Sequence, residues 1–382
     1  MQRSLFTADH DAYRKSVRAF LEREVLPHRE TWDRAGIVPR QLFRGAAAVG
    51  IFDAVPEQYG GAGTTDFRCN TVVLEEAARL DVAPVMAGPT LQSDIVLPYL
   101  LDLTDEEQRR RWLPGVATGE TVTAVAMTEP GTGSDLTGIR TTARREGDHY
   151  IVNGAKTFIT NGINADLVVT AVRTGDHPHR GLSLLVVERD MPGFTRGRNL
   201  DKVGQHAQDT AELSFADVPV PAANLLGAEG DGFTGLTGNL VRERLSVAVS
   251  GLAQARTAFH HTVGHVRTRH AFGAPIGALQ HTRFRMAEMD TELDLAQHYL
   301  DACVENLNAG TLTAVDAAKA KWFSTELQGR VVDGCVQLHG GYGYMLEHPV
   351  ARAYADARVS RIYAGSTEVM KEIVGRALEL AP

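Results

Sequence analysis

Up to about residue 120 the apolar positions recur with helical spacing. Tyr13, Val17, Phe20, Leu21 and Val25 make one stripe behind Thr7, a cap residue, and Pro27 predicts where that helix stops. Pro39 suits a helix start, with Leu42, Phe43 and Ala46 to Val49 following it. The glycines of 55–63 read as a loop. Helical periodicity resumes over 71–80 and 91–101, and Thr104-Asp105-Glu106-Glu107 reads as a capping box for a helix that Pro114 closes.

From 121 to 230 the period shortens to two. Segments 139–145, 149–153, 167–173, 182–187 and 210–215 alternate apolar and polar residues. They are separated by the turn pairs Gly147-Asp148, Asn153-Gly154, Asn161-Gly162 and Pro192-Gly193. Short strands at that spacing predict a small β-barrel or sandwich. Beyond Gly232 the helical period returns over 240–269, 280–307 and 313–338, the last opened by Thr313 and Asp316, and a final helix follows Gly365. The expected fold class is α+β: a helical domain over 1–120, a central β-domain over 121–230 and a C-terminal helical bundle over 231–382.

Composition narrows the function classes. The 382 residues carry 39 Lys and Arg against 47 Asp and Glu, a net charge of -8 with no basic cluster, which argues against a nucleic-acid binder. Cys69, Cys303 and Cys335 are odd in number and far apart, so neither a disulfide framework nor a zinc site is expected, and a reducing cytoplasm fits. No run of about 18 apolar residues predicts a membrane span, and residues 1–20 lack the apolar core of a secretory signal.

The chemistry gathers in a few stretches. Ala126-Met127-Thr128-Glu129-Pro130-Gly131-Thr132-Gly133-Ser134-Asp135 follows a β-prone run. Pro130, Gly131 and Gly133 forbid a helix there and force an open loop whose backbone N–H groups and hydroxyls can cradle a phosphate or cofactor. Taken alone, such a loop is an ordinary glycine-rich turn.

Together with Asn153-Gly154-Ala155-Lys156-Thr157-Phe158-Ile159-Thr160-Asn161-Gly162, Gln337-Leu338-His339-Gly340-Gly341-Tyr342-Gly343-Tyr344 and Ile362-Tyr363-Ala364-Gly365-Ser366-Thr367-Glu368, it resembles the acyl-CoA dehydrogenase family. Four ordered matches run over nearly the whole chain. The resemblance implies a helical domain, a β-domain and a four-helix bundle with FAD between them. It implies that Met127, Thr128, Gly133 and Ser134 contact FAD, that Phe158 packs on the isoalloxazine and that Thr160 bonds near flavin N5. Such a pairing is physically sensible, a π-face on an apolar ring and a donor at its reactive atom. It further implies that Arg269, Phe272, Gln280, Gln337 and Gly341 reach the FAD of a neighbouring subunit in an obligatory oligomer, usually a tetramer. Ser366 and Glu368 fall at the cofactor, although Glu368 also suits the cap of the last helix. Ser134, Arg244 and Gly365 fall at the substrate.

The implied reaction is α,β-dehydrogenation of an acyl thioester, with an electron-transfer flavoprotein as acceptor. In most of the family a glutamate precedes the glycine of the last signature; here that residue is Ala364, which offers only its backbone N–H to a thioester oxygen. A second position is used by the long-chain and isovaleryl-CoA subgroup, on a long helix before an arginine. Arg242-Glu243-Arg244 occupies it, so Glu243 is the expected base. The flanking arginines would lower its pKa and burial would raise it, and the sequence leaves that sign open. Pro84 and Pro89 suggest a reshaped, shorter acyl pocket. CoA and an acyl-carrier protein both present pantetheine, so either carrier is open. So are a flavin oxidase or monooxygenase on the same fold, and a non-catalytic thioester-binding subunit of a mixed tetramer.

Overall fold

The computed structural model describes residues 3–380; the first and last two residues of the outer predicted domains lie outside the described residues. Seven α-helices lead: α1 Ala8–Phe20, α2 Arg29–Ala35, α3 Gln41–Ala48, α4 Phe67–Arg79, α5 Ala83–Leu91, α6 Leu97–Leu103 and α7 Glu106–Ala117. Eight strands follow: β1 Thr123–Ala126, β2 Thr142–Glu146, β3 His149–Thr160, β4 Leu167–Arg173, β5 Leu182–Glu188, β6 Phe194–Asn199, β7 Thr210–Pro221 and β8 Leu225–Leu226. The chain closes with α8 Gly232–Thr268, the hairpin β9 His270–Ala271 and β10 Ala274–Pro275, then α9 Gln280–Asn308, α10 Ala314–His339, α11 Pro349–Ala357 and α12 Thr367–Ala377.

The sheet runs β6-β7-β3-β2-β4-β5-β8, with β1 added in parallel to β4. One face packs Val169, Leu184 and Val186 under α6 and α7; the other closes over Tyr150, Val152 and Phe215. In the helical bundle Leu245, Leu252, Leu293 and Val331 fill the core between α8, α9 and α10.

Several boundaries differ from the sequence reading. Pro27 does not stop the first helix; the chain continues through a π-turn and a 3₁₀ turn into α2. Pro114 lies inside α7, which runs three residues past it to Ala117 despite the N–H donor it removes. The cap of α7 is Asp105, which accepts from Gln108 N, whereas Thr104 bonds back to Leu100 O. Asn153-Gly154 is no turn. It is a bulge within one twelve-residue strand, stabilised by bonds between Asn153 and Asp217 on β7. Gly154 at φ +148 has Thr141 where a Cβ would stand, so only glycine fits.

Candidate active site

Helix α5 reaches the site in distorted form. Pro84 sits in its first turn, Pro89 lies inside it, and residues Gln92–Val96 make a π-turn that absorbs the lost bond before α6. Tyr99 lies in α6, directly after that turn. Tyr99 is fully buried, and its hydroxyl donates to Glu243 Oε1 at 2.7 Å.

Glu243 is 3% exposed. Burial pushes its carboxyl up to about 7, against the Tyr99 hydrogen bond and the charge of Arg244, which both pull it down. The open sign is thereby resolved: burial wins. Arg242 exerts no matching pull, because its guanidinium lies over the Phe67 ring and bonds Asn70.

A cavity of about 210 Å³ brings Glu243 together with Met127, Thr128, Phe158, Thr160 and Ala364, six positions the sequence had singled out. Phe158 keeps φ +60, and its ring is 67% exposed, an unusual fate for a phenylalanine. Thr160 accepts from Gln208 Nε2 at 2.6 Å, which leaves its own hydroxyl proton free to donate. Ala364 holds φ +51 before Gly365 at φ +92, a strained turn for a residue with a side chain. Among the described residues no acceptor takes the Ala364 N–H.

Two buried cations stand at that turn, and one of them bonds it. Lys321 is fully buried on α10 and donates to Gly365 O at 2.5 Å; burial, then the charge of Arg244, push its amine down to about 8. Arg244 is 7% exposed and its Nε lacks a partner. The strand side is braced by another pair. Lys156, fully buried, donates to Glu129 at 2.9 Å and to Met127 O at 3.0 Å. Burial would raise Glu129, but bonds from Thr141 and Lys156 hold it below the usual carboxylate range.

Other predicted positions lie elsewhere. Gly133 and Ser134 are exposed in the loop after β1. Ser366 is the N-cap of α12, accepting from Val369 N, and Glu368 lies exposed in the first turn. Arg269, Gln337 and Gly341 line a separate cavity of about 480 Å³. Phe272 sits at the tip of the β9–β10 hairpin, 95% exposed, and Gln280 opens α9 at the surface. Tyr99, Gln208 and Lys321 escaped the sequence reading. Lys321 left a trace, since it falls on the same face of α10 as Ala317, Ser324 and Gln328, all buried.

Among the described residues no helix is long and apolar enough to cross a membrane, no cluster could hold a metal ion, and Cys69, Cys303 and Cys335 are unpaired.

Comparison with known proteins shows the family. Residues 7–120, 124–218 and 230–379 match the N-terminal, middle and C-terminal domain models of acyl-CoA dehydrogenase. The long-chain specific acyl-CoA dehydrogenase, mitochondrial, of Sus scrofa is 41% identical over 380 residues, 98% of this chain and 88% of that protein. The crystal structure of acyl-CoA dehydrogenase from Geobacillus kaustophilus superposes with a TM-score of 0.97 at 48% identity, covering 99% of this chain and 100% of that one. A glutaryl-CoA dehydrogenase from Mycobacterium smegmatis, solved in complex with FADH2, superposes at 0.91 and 26% identity, covering 98% and 95%.

Proposed function

Because this chain belongs to the acyl-CoA dehydrogenase family, we propose that it oxidises the Cα–Cβ bond of an acyl thioester with Glu243 as the base. The reading is carried by one observation: a buried carboxylate, raised to about 7, on the wall that also holds Phe158, Thr160 and Ala364. A general base works best when its pKa lies near the working pH.

The residues present fit FAD. An exposed aromatic ring beside a hydroxyl with a proton to give is a surface that a planar apolar ring with a polar edge would cover. Met127, Thr128, Phe158 and Thr160 would hold its flavin end, and Gly133 and Ser134 its phosphate side. FAD, when bound, supplies the acceptor for the β-hydrogen and its electron pair.

The chain's own part is proton and charge control. Glu243 Oε2, the oxygen not engaged by Tyr99, takes the α-proton, and the neutral acid that results suits its dry surroundings. The Ala364 N–H donates to the thioester oxygen as negative charge develops there, with Arg244 and Lys321 nearby favouring that charge. The Cα–Cβ double bond forms as proton and hydride leave.

Arg269, Phe272, Gln280, Gln337 and Gly341 would serve the cofactor of a neighbouring copy. A phenylalanine left 95% exposed on a hairpin tip supports an assembled form, which we take to be a tetramer. The acceptor for the flavin's electrons is expected to be an electron-transfer flavoprotein. Rapid reoxidation in air would favour an oxidase instead, and the buried base speaks against a non-catalytic subunit. The test is anaerobic flavin bleaching across CoA and carrier-bound acyl thioesters of increasing length. Bleaching by at least one thioester is expected, and its absence throughout would refute the reading.

A further inference from the structure

The cavity beside Glu243 is walled by α8 on one side and by α5 with its π-turn on the other. At one end stand Glu243 of α8 and Ile95; at the other, Gln254 of α8 and Ala83 of α5. Eleven residues separate Glu243 from Gln254, so the lined wall extends about 16 Å along the helix.

That wall is not made for hydrocarbon alone. On α8 the positions facing the channel include Ser246, Ser250 and Gln254. Ser246 is already committed, donating to Asp94 at 2.6 Å, an acid that Ser93 and Asn70 also hold. Ser250 and Gln254 are different. Gln254 Nε2 donates to Ser250 Oγ at 3.0 Å, and that is the one hydrogen bond of their side chains among the described residues. The Ser250 proton, the Gln254 carbonyl oxygen and its second amide hydrogen remain free. Polar groups in an apolar pocket fix what the pocket accepts, because leaving them unpaired costs affinity.

Past Gln254 the surroundings become charged. Gln254 and Ala83 also wall a small cavity of about 60 Å³ shared with Arg29, Asp33, Arg352 and Asp356. A methyl end would abut ionic groups there. A carboxylate end would meet Asp33, Asp81 and Asp356 against two arginines and His206, so the mixed charges do not select an anion.

We propose that the acyl group oxidised here carries an uncharged hydrogen-bonding substituent, a hydroxyl or a ketone oxygen, on its distal half, bound by Ser250 and Gln254. This rests on the proposed reading that the thioester lies at Glu243. The substituent falls about 10 to 16 Å along the helix from the base, roughly ten to fifteen carbons from the thioester in an extended chain. The class includes hydroxylated or oxo fatty acyl groups and bulkier skeletons with an oxygen at that distance.

Binding of unreactive thioethers tests the proposal without the chemistry. An S-alkyl-CoA of about fourteen carbons is compared by titration calorimetry with the same chain bearing a hydroxyl near its twelfth carbon. The holoenzyme should bind the hydroxylated chain about tenfold more tightly. Ser250→Ala with Gln254→Met should erase that preference. Equal or tighter binding of the plain chain by the unmodified enzyme would overturn the proposal, as would a preference untouched by the double variant. Failure of Glu243 as base would instead show in turnover, leaving this binding difference intact.

Discussion

Tyr99→Phe isolates the hydrogen bond that keeps Glu243 ionisable. The phenolic O–H donates to Oε1 at 2.7 Å, both groups are buried, and the substitution leaves the ring in place. A hydrogen bond to a buried charged group contributes about 1.5–3 kcal/mol. It favours the carboxylate, so its loss should raise the Glu243 pKa from about 7 by roughly one to two units. The ionised fraction at pH 7 then falls from about one half to roughly a tenth or less. The expected kcat/KM at neutral pH drops about fivefold or more, and the deficit closes as pH rises past about 9. The assay is kcat/KM against pH with an acyl-CoA and an artificial electron acceptor. A loss independent of pH, or an acid limb shifted downward, would refute this role for Tyr99.

Three further outcomes follow from the same geometry. Lys156→Met should leave Glu129 buried without its cation and cost about 3–5 kcal/mol in denaturant unfolding, most of it recovered when Glu129→Gln is added. Arg269→Ala should lower the FAD-to-protein ratio and shift the assembly to smaller species by light scattering; unchanged values for both would separate that cavity from the cofactor. In a Glu243→Gln background, Ala364→Glu should restore part of the activity, since both positions line one cavity, and stopped-flow bleaching would show no gain if the new carboxylate cannot reach the α-proton.

What the sequence made legible was local chemistry. Prolines and glycines of 130–133 told of a loop, and the three long helices from 232 onward showed as periodicity, because those signals lie in neighbouring residues. Ala364 in the last signature, together with Glu243 on the long helix, pointed to Glu243 as the proposed base. Long-range partners were not legible. Tyr99 and Glu243 are 144 residues apart, Thr160 and Gln208 are 48 apart, and Lys321 and Gly365 are 44 apart. Nothing in a local period announces such pairs. The Asn153-Gly154 bulge was misread for a related reason: the same dipeptide serves a hairpin turn or a bulge, and the partner strand β7 decides between them.

Glu243→Gln in the holoenzyme, mixed anaerobically with an acyl-CoA that bleaches the parent enzyme, bears most directly on the identity of the base. The flavin should stay bound and the thioester should still bind, while bleaching slows by at least about a thousandfold. Bleaching at close to the parent rate would mean that some other group removes the α-proton.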